Sequence, residues 1–141
     1  MEFDESLRIE ADEISKLDIN KLKVSNIKDL IHTNLKIQIY NNENELLKDT
    51  DNIGTNSKLI LKDEEENEVF RYVFIVYGDV NGDGLINSLD VLVIQKHILE
   101  NKLLTGLFLK SGNISKNGNP PSSLDVLKIQ KHILETKFIE Q

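Results

Sequence analysis

Two residue types that carry much of protein chemistry, cysteine and tryptophan, are absent from this chain of 141 residues. Without cysteine, neither a disulfide framework nor a zinc–thiolate site can form. Without tryptophan, the chain offers no indole platform on which a glycan ring would stack. These absences are compatible with a chain that is stabilised by a bound metal ion rather than by cross-links.

Basic charge and long apolar runs are also scarce. Lys and Arg number 17 against 24 Asp and Glu, and the formal net charge of −7 argues against binding to nucleic acid or to an anionic membrane. No run approaches the roughly 20 apolar residues that cross a bilayer. A hydrophobic content of 39% suits a modest core in one or two small domains, not a large catalytic cleft.

The first residues show neither the basic start nor the apolar run of a signal peptide. Glu2-Phe3, directly after Met1, has the appearance of a cloning scar. We therefore expect the chain to be a fragment of a larger protein whose targeting signals lie elsewhere.

A run of oxygen-bearing side chains occupies residues 79–90, the first loop. They fall at positions 1, 3, 5, 9 and 12 of the run, at Asp79, Asn81, Asp83, Asn87 and Asp90. Position 6 is Gly84, which permits a sharp turn, and the expected ligand at position 7 is the backbone carbonyl of Leu85. Calcium binds six to eight oxygens at about 2.3–2.6 Å, so this spacing predicts a calcium-binding loop.

The segment that follows the first loop is repeated. Residues 88–100 recur as residues 123–135, and only Val93 and Lys128 differ between the copies. Each copy has apolar residues at the i, i+3 and i+7 spacing of a helix. We expect two loop–helix units that pack on each other through Val91, Ile94, Ile98, Val126, Ile129 and Ile133. The expected N-caps are Ser88 or Asp90 and Ser123 or Asp125.

The second loop, residues 113–125, is a degenerate copy of the first. Its possible ligands are Asn113, Ser115, Asn117 and Asp125, so one carboxylate remains where the first loop has three. Gly118 keeps the turn position, and Pro120-Pro121 stiffens the segment. Calcium affinity follows ligand charge and geometry, so we expect this loop to bind calcium weakly or not at all.

The first half of the chain has a mixed pattern. A short helix is predicted near residues 24–31, with Ser25 or Asn26 as cap, and strands at residues 35–40, 57–62 and 69–77. These elements predict a small α+β module with a three- to four-stranded sheet and one helix on one face. The junction at Gly78 is too short for a flexible linker, so we expect this module to be docked on the repeats. The connector 101–111 is predicted to form a short helix or turn.

The first loop, its helix and the related second unit resemble a type I dockerin. The resemblance covers residues 78–141, and residues 1–77 are similar, more loosely, to the X-type module that often precedes dockerins in clostridial enzymes. It implies an all-α dockerin of two calcium-loop–helix repeats after the α+β module. It also implies a secreted, extracellular, non-catalytic module, held at the cell surface through its partner. Such modules bind cohesin and assemble carbohydrate-active enzymes into cellulosome-like complexes in a calcium-dependent way.

The resemblance implies cohesin contacts at Ser88, Leu89, Gln95 and Lys96, and helical spacing extends this surface along both helices. The two helices carry a second apolar strip with polar borders, here called the docking face, made of Ser88, Leu89, Leu92, Gln95, Lys96, Leu99, Ser123, Leu124, Leu127, Gln130, Lys131 and Leu134. The alternative is that Leu92 and Leu127 merely complete a small core. Leu89 and Leu124 depart from the Ser-Thr pair that the family often has, so partner specificity stays open. Near-identity of the helices would allow two binding orientations.

Two other functions compete with the adapter. The first is an EF-hand-like calcium sensor or buffer, which usually has a helix before the loop and Glu at position 12, whereas this chain has a predicted strand and Asp90. The second is an enzyme. We see no Ser/His/Asp arrangement and no phosphate loop, and we expect His97 and His132 to be partly exposed helix residues. The isolated His32 is predicted to lie in a turn.

Overall fold

The computed structural model describes residues 1–116, 118–135 and 137–141. Strands occupy the first half of the chain and helices the second half. The strands are β1 (Glu2–Phe3), β2 (Arg8–Glu10), β3 (Glu13–Ser15), β4 (Ile31–His32), β5 (Lys36–Tyr40), β6 (Lys58–Lys62) and β7 (Glu68–Phe74). The helices are α1 (Val24–Lys28), α2 (Ser88–Ile98), α3 (Gly106–Gly112) and α4 (Ser123–Ile133). None of the described helices is long and apolar enough to cross a membrane.

The central sheet has five strands in the order β2-β3-β7-β6-β5, and β1 pairs with β4 in a separate two-stranded sheet. Strands β3 and β7 are parallel, and the other pairs are antiparallel. The prediction of three or four strands is therefore wrong in number. The strands it lacks, β1 to β4, are two or three residues long. They are too short to show an alternating pattern of apolar residues.

Strands β5 and β6 agree with the prediction to within one residue, but other boundaries moved. Strand β7 ends at Phe74, and residues 75–77 leave the sheet to enter the first loop. Helix α1 ends at Lys28, and its N-cap is Lys23, which makes no side-chain cap, so neither Ser25 nor Asn26 is the cap. His32 lies in β4 and not in a turn, because β1 provides it with a pairing partner that local sequence cannot reveal.

Two clusters of buried side chains form the core. The first fills the N-terminal unit, residues 1–77, and contains Ile14, Leu61 and Phe74 among its fully buried members. The second fills the C-terminal unit, residues 78–141, and Ile86 packs against both clusters. The units are in direct contact, as the short junction predicted. Lys110 forms an ion pair with Glu13, and the Gln141 side chain hydrogen-bonds the backbone of Tyr77.

Helices α2 and α4 pack on each other through Val91, Ile94, Val126 and Ile129, which are buried as predicted. Ile98 and Ile133 are exposed, which corrects their assignment to the core. Both residues stand in the last turn of their helix, where the chain leaves the contact between α2 and α4. Helix α3 lies in the predicted connector.

The N-caps are one residue earlier than Ser88 and Ser123. Asn87 caps α2 and Ser122 caps α4, each by accepting a hydrogen bond from a backbone N–H of the first turn. Asp90 and Asp125 close a capping box with the N–H of their cap residue. The two acidic residues that sequence reasoning offered as caps therefore act at the third helical position. There they tie each loop to its helix.

Candidate metal centre

The first loop gathers three carboxylates. Oxygens of Asp79, Asp83 and Asp90 all lie within 4.8 Å of one another, and no other group of this kind occurs in the described part of the chain. Asp79 and Asp90 are fully buried, whereas Asp83 is exposed. Three like charges this close repel strongly unless a cation or protons compensate them.

Backbone hydrogen bonds bend the first loop around this centre. The Asp79 carboxylate accepts the N–H of Gly82 at 3.1 Å and of Gly84 at 3.0 Å. Asp83 accepts the N–H of Leu85 at 2.9 Å. Gly82 and Gly84 have φ angles of +77° and +79°, in the left-handed region that residues with a Cβ rarely adopt. The chain thus turns inward at Gly84, as the spacing predicted, and also at Gly82, which the sequence analysis did not single out.

The raised pKa values of two carboxyls show that ionising them without a cation is unfavourable. Burial raises the pKa of Asp79 to about 8, and repulsion from the carboxylates of Asp90 and Asp83 adds to it. Burial also raises the pKa of Asp90 to about 6, again with repulsion from Asp83. Buried carboxylates in an all-oxygen set fit a hard divalent cation such as calcium. The residues present therefore fit the ion that the spacing predicted.

The remaining predicted ligands lie on the same loop. The Asn87 side-chain oxygen accepts the N–H of Leu89 at 3.0 Å as the helix cap. An amide oxygen has two lone pairs, so one remains for a ligand. The Asn81 side-chain oxygen accepts the N–H of Asp83 at 3.2 Å, and Leu85 turns its side chain to solvent, which is compatible with a role for its carbonyl alone.

The second loop holds its single buried carboxylate with hydrogen bonds. Asp125 accepts the N–H of Ser115 at 3.2 Å and of Ser122 at 2.8 Å. The hydroxyls of both serines lie 3.4 Å from its oxygens, and the Ser115 hydroxyl also contacts Asn113 at 3.4 Å. Gly118 keeps the left-handed turn, with φ of +80°. The fourth predicted ligand of this loop, Asn117, lies outside the described residues.

Hydrogen-bond donors of the N-terminal unit and of α3 contact the first loop, and the sequence did not predict these contacts. Asn42 and Asn52 donate their amide N–H groups to the carbonyls of Asn81 at 3.2 Å and Gly84 at 3.1 Å. The backbone N–H of Thr55 donates to Asp79 Oδ2 at 3.0 Å. The Ser111 hydroxyl donates to the Asp79 carbonyl at 3.2 Å. Residues 52–56 have the composition of an ordinary turn, and no pattern links them to a loop more than twenty residues away.

The docking face is exposed along both helices. All twelve of its residues are exposed, and the exposed fractions of Leu99 and Leu134 are 69% and 73%. Leu92 and Leu127 are 46% and 44% exposed, so they do not complete the core. Leu103 and Phe138 are also exposed large apolar residues of the C-terminal unit, which sequence reasoning missed. Val93 and Lys128, the one difference between the repeats, are half-buried.

The two histidines make the same structural contact in each repeat. His97 Nδ1 accepts the N–H of Leu104 at 2.9 Å, and His132 Nδ1 accepts the N–H of Ile139 at 3.1 Å. Both rings are half-buried, as expected. Each histidine therefore fastens the segment that follows its helix.

Comparison with protein families gives one finding. Residues 77–134 match the family model of the dockerin type I domain, and the match does not extend over residues 1–76. Searches among curated proteins and among solved structures found no match. Type I dockerins are non-catalytic modules that bind cohesin modules with the help of calcium, and residues 77–134 of this chain are similar to them.

Proposed function

We propose that this chain is a non-catalytic, calcium-dependent adapter that binds a cohesin module of another secreted protein or scaffoldin. In this proposal residues 78–141 are the dockerin, and residues 1–77 are an X-type module. The parent is a secreted carbohydrate-active enzyme of the clostridial type, held at the cell surface through its partner. The observation that carries the proposal is the convergence of Asp79, Asp83 and Asp90 directly before a helix with an exposed apolar face.

The ligand set of the first site would be the carboxylates of Asp79, Asp83 and Asp90, the amide oxygens of Asn81 and Asn87, and the carbonyl of Leu85. Calcium supplies the positive charge that lets the three carboxylates stay ionised together. Asp90 connects this site to the helix. It accepts the N–H of Val80 at 3.0 Å and of Asn87 at 2.9 Å, so fixing its carboxylate also fixes the first turn of α2.

The docking face supplies the contact with the partner. In each repeat two leucines of the helix and the leucine at its C-cap are bordered by Ser, Gln and Lys, which is the composition of a protein interface with an apolar centre and a polar rim. The second loop would contribute the position of α4 without needing an ion, because its carboxylate is already held by N–H and hydroxyl groups. Nearly identical helices would allow a cohesin to bind in two orientations, unless the pair Val93 and Lys128 selects one.

Calorimetric titration tests the proposal on the wild type, on Asp83→Ala and on Glu64→Ala. Asp83 is exposed, so its removal deletes a ligand without opening the core, and Glu64 in the β6–β7 turn is a control with the same change of charge. We expect Asp83→Ala to lose calcium binding and then cohesin binding, while Glu64→Ala keeps both. A chain that binds cohesin equally well in chelator, or an Asp83→Ala variant with wild-type cohesin affinity, would contradict the calcium-dependent adapter.

A further inference from the structure

The N-terminal unit approaches the first loop too closely for a side chain to fit between them. A Cβ added at Gly54 would lie 2.5 Å from the carbonyl oxygen of Gly82 and 2.6 Å from both Asp79 Oδ2 and Gly84 N. Real Cβ atoms do not make contacts this short. A Cβ at Gly82 would in turn lie 2.7 Å from the carbonyl oxygen of Thr55. The backbone of residues 54–55 is thus packed directly on a predicted metal ligand and on the loop glycines.

Hydrogen bonds from residues 52–55 and from Asn42 fix three points of the loop. The buried N–H of Thr55 donates to Asp79 Oδ2, and the amides of Asn52 and Asn42 donate to loop carbonyls, all at 3.0–3.2 Å. Thr55 is itself held rigidly. Its hydroxyl donates to the carbonyl of Val76 at 3.0 Å and accepts the N–H of Val76 at 3.1 Å. A rigid donor that faces a carboxylate restricts where its oxygens can lie.

We propose that residues 52–55 are a positioning segment of the first calcium site, so that the folding of the N-terminal unit and calcium binding are thermodynamically coupled. The proposal rests on the proposed function insofar as the first loop must bind calcium. It assigns the N-terminal unit a defined role, which is to preorganise the ligand Asp79. By linkage, calcium must then stabilise the N-terminal unit as much as that unit strengthens calcium binding.

The hydrogen bonds described from residues 52–55 to the C-terminal unit go to the first loop. In the second loop the position of Asp79 is taken by Asn113, whose side-chain oxygen accepts a hydrogen bond from the Ser115 hydroxyl of the same loop. Residues 52–55 therefore bind to one of the two loops, although the helices that follow the loops are nearly identical. This asymmetry places the positioning segment at the loop that has three carboxylates to hold together.

Calorimetric calcium titration of the full chain provides the first test. We expect Gly54→Ala to weaken calcium binding about tenfold or more, because a Cβ there displaces the loop, and Asn52→Ala about fivefold through one lost hydrogen bond. Thr55→Val, which removes the hydroxyl that anchors the donor, should also weaken binding, and Thr55→Ser should restore it. The control is Leu61→Ala, which destabilises the core of the N-terminal unit away from the loop and should leave the dissociation constant unchanged while the chain is folded.

Hydrogen exchange provides a readout that does not depend on any variant folding well. At calcium about tenfold above its dissociation constant, the slowest amides of β6 and β7 in the wild type should exchange about tenfold more slowly than in chelator. Unchanged exchange in these strands, or equal calcium affinity in Gly54→Ala, Asn52→Ala and Thr55→Val, would overturn the coupling while leaving the calcium adapter intact. A wild-type chain that binds no calcium at all would overturn both.

Discussion

The two loops precede nearly identical helices but stabilise their turns by different means. In the first loop Asp90 faces two further carboxylates and is reached by backbone N–H groups of Val80 and Asn87. In the second loop Asp125 receives the same kind of N–H bonds, from Ser115 and Ser122, with serine hydroxyls in place of the other carboxylates. The capping box is common to both, so the helix start does not require the extra acids.

The acids of the first loop destabilise the ion-free fold when they are ionised, and in the proposed function they are the groups that bind calcium. The pKa values of Asp79 and Asp90 are raised because these carboxyls are buried close together. A hydrogen bond from Thr55 of the N-terminal unit stabilises the Asp79 carboxylate. The second loop has one carboxylate where the first has three, so it lacks this repulsion between buried charges. In the proposed function the first repeat therefore responds to a cation, and the second keeps its shape without one.

The largest expected effect separates the two loops by an identical substitution. Asp90→Asn removes a charged ligand and should weaken calcium binding on the order of 100-fold, because affinity follows ligand charge. Asp125→Asn should leave calcium affinity unchanged and lower the free energy of unfolding by about 1 kcal/mol through a weakened capping box. Calorimetry and thermal unfolding measure the two quantities. An equal loss of calcium binding in both variants would show that the second loop is also a calcium site.

An intermediate effect concerns pH. The pKa of Asp79, about 8, and of Asp90, about 6, lie above the ordinary value of 3.8 in the ion-free chain. Their protonation therefore stabilises the ion-free fold, fully below about pH 4, and this contribution declines as the pH rises towards 8. Calcium competes with the same protons, so its affinity should rise over this pH range. Titrations in two buffers of different ionisation enthalpy should detect proton release near pH 7 in the wild type and less of it in Asp79→Asn.

The smallest expected effect lies in the second repeat. Burial lowers the pKa of His132 below its ordinary value of 6.5, and its neutral Nδ1 accepts the N–H of Ile139. Stability should therefore fall slightly as the pH drops through and below about 6.5, because the unfolded chain takes up the proton first. His132→Asn keeps an acceptor without titrating there and should flatten this part of the pH profile of thermal unfolding. A profile that is the same in wild type and variant would remove His132 as its cause.

Sequence reasoning succeeded where local pattern decides the structure. The helical spacing of Val91 and Ile94 placed them in the core, and the alternation of residues 35–40 predicted β5. Sequence reasoning failed where the pairing of distant strands determines the structure. Strands β1 to β4 are too short for a pattern, and the parallel contact of β3 with β7 joins segments about sixty residues apart. Ile98 appeared apolar and periodic, yet it is exposed because the helix ends there.

The sequence by itself determined the ligand spacing of the first loop, the turn at Gly84, the loss of acids in the second loop and the duplicated helices. Each loop and each helix copy lies within about a dozen consecutive residues, so local chain geometry alone brings its groups together. Only the tertiary structure decided that Thr55, Gly54, Asn52 and Asn42 support the first loop. Those contacts depend on how the two units pack. The free energy of that packing comes from residues throughout both cores, so no local sequence pattern reveals it.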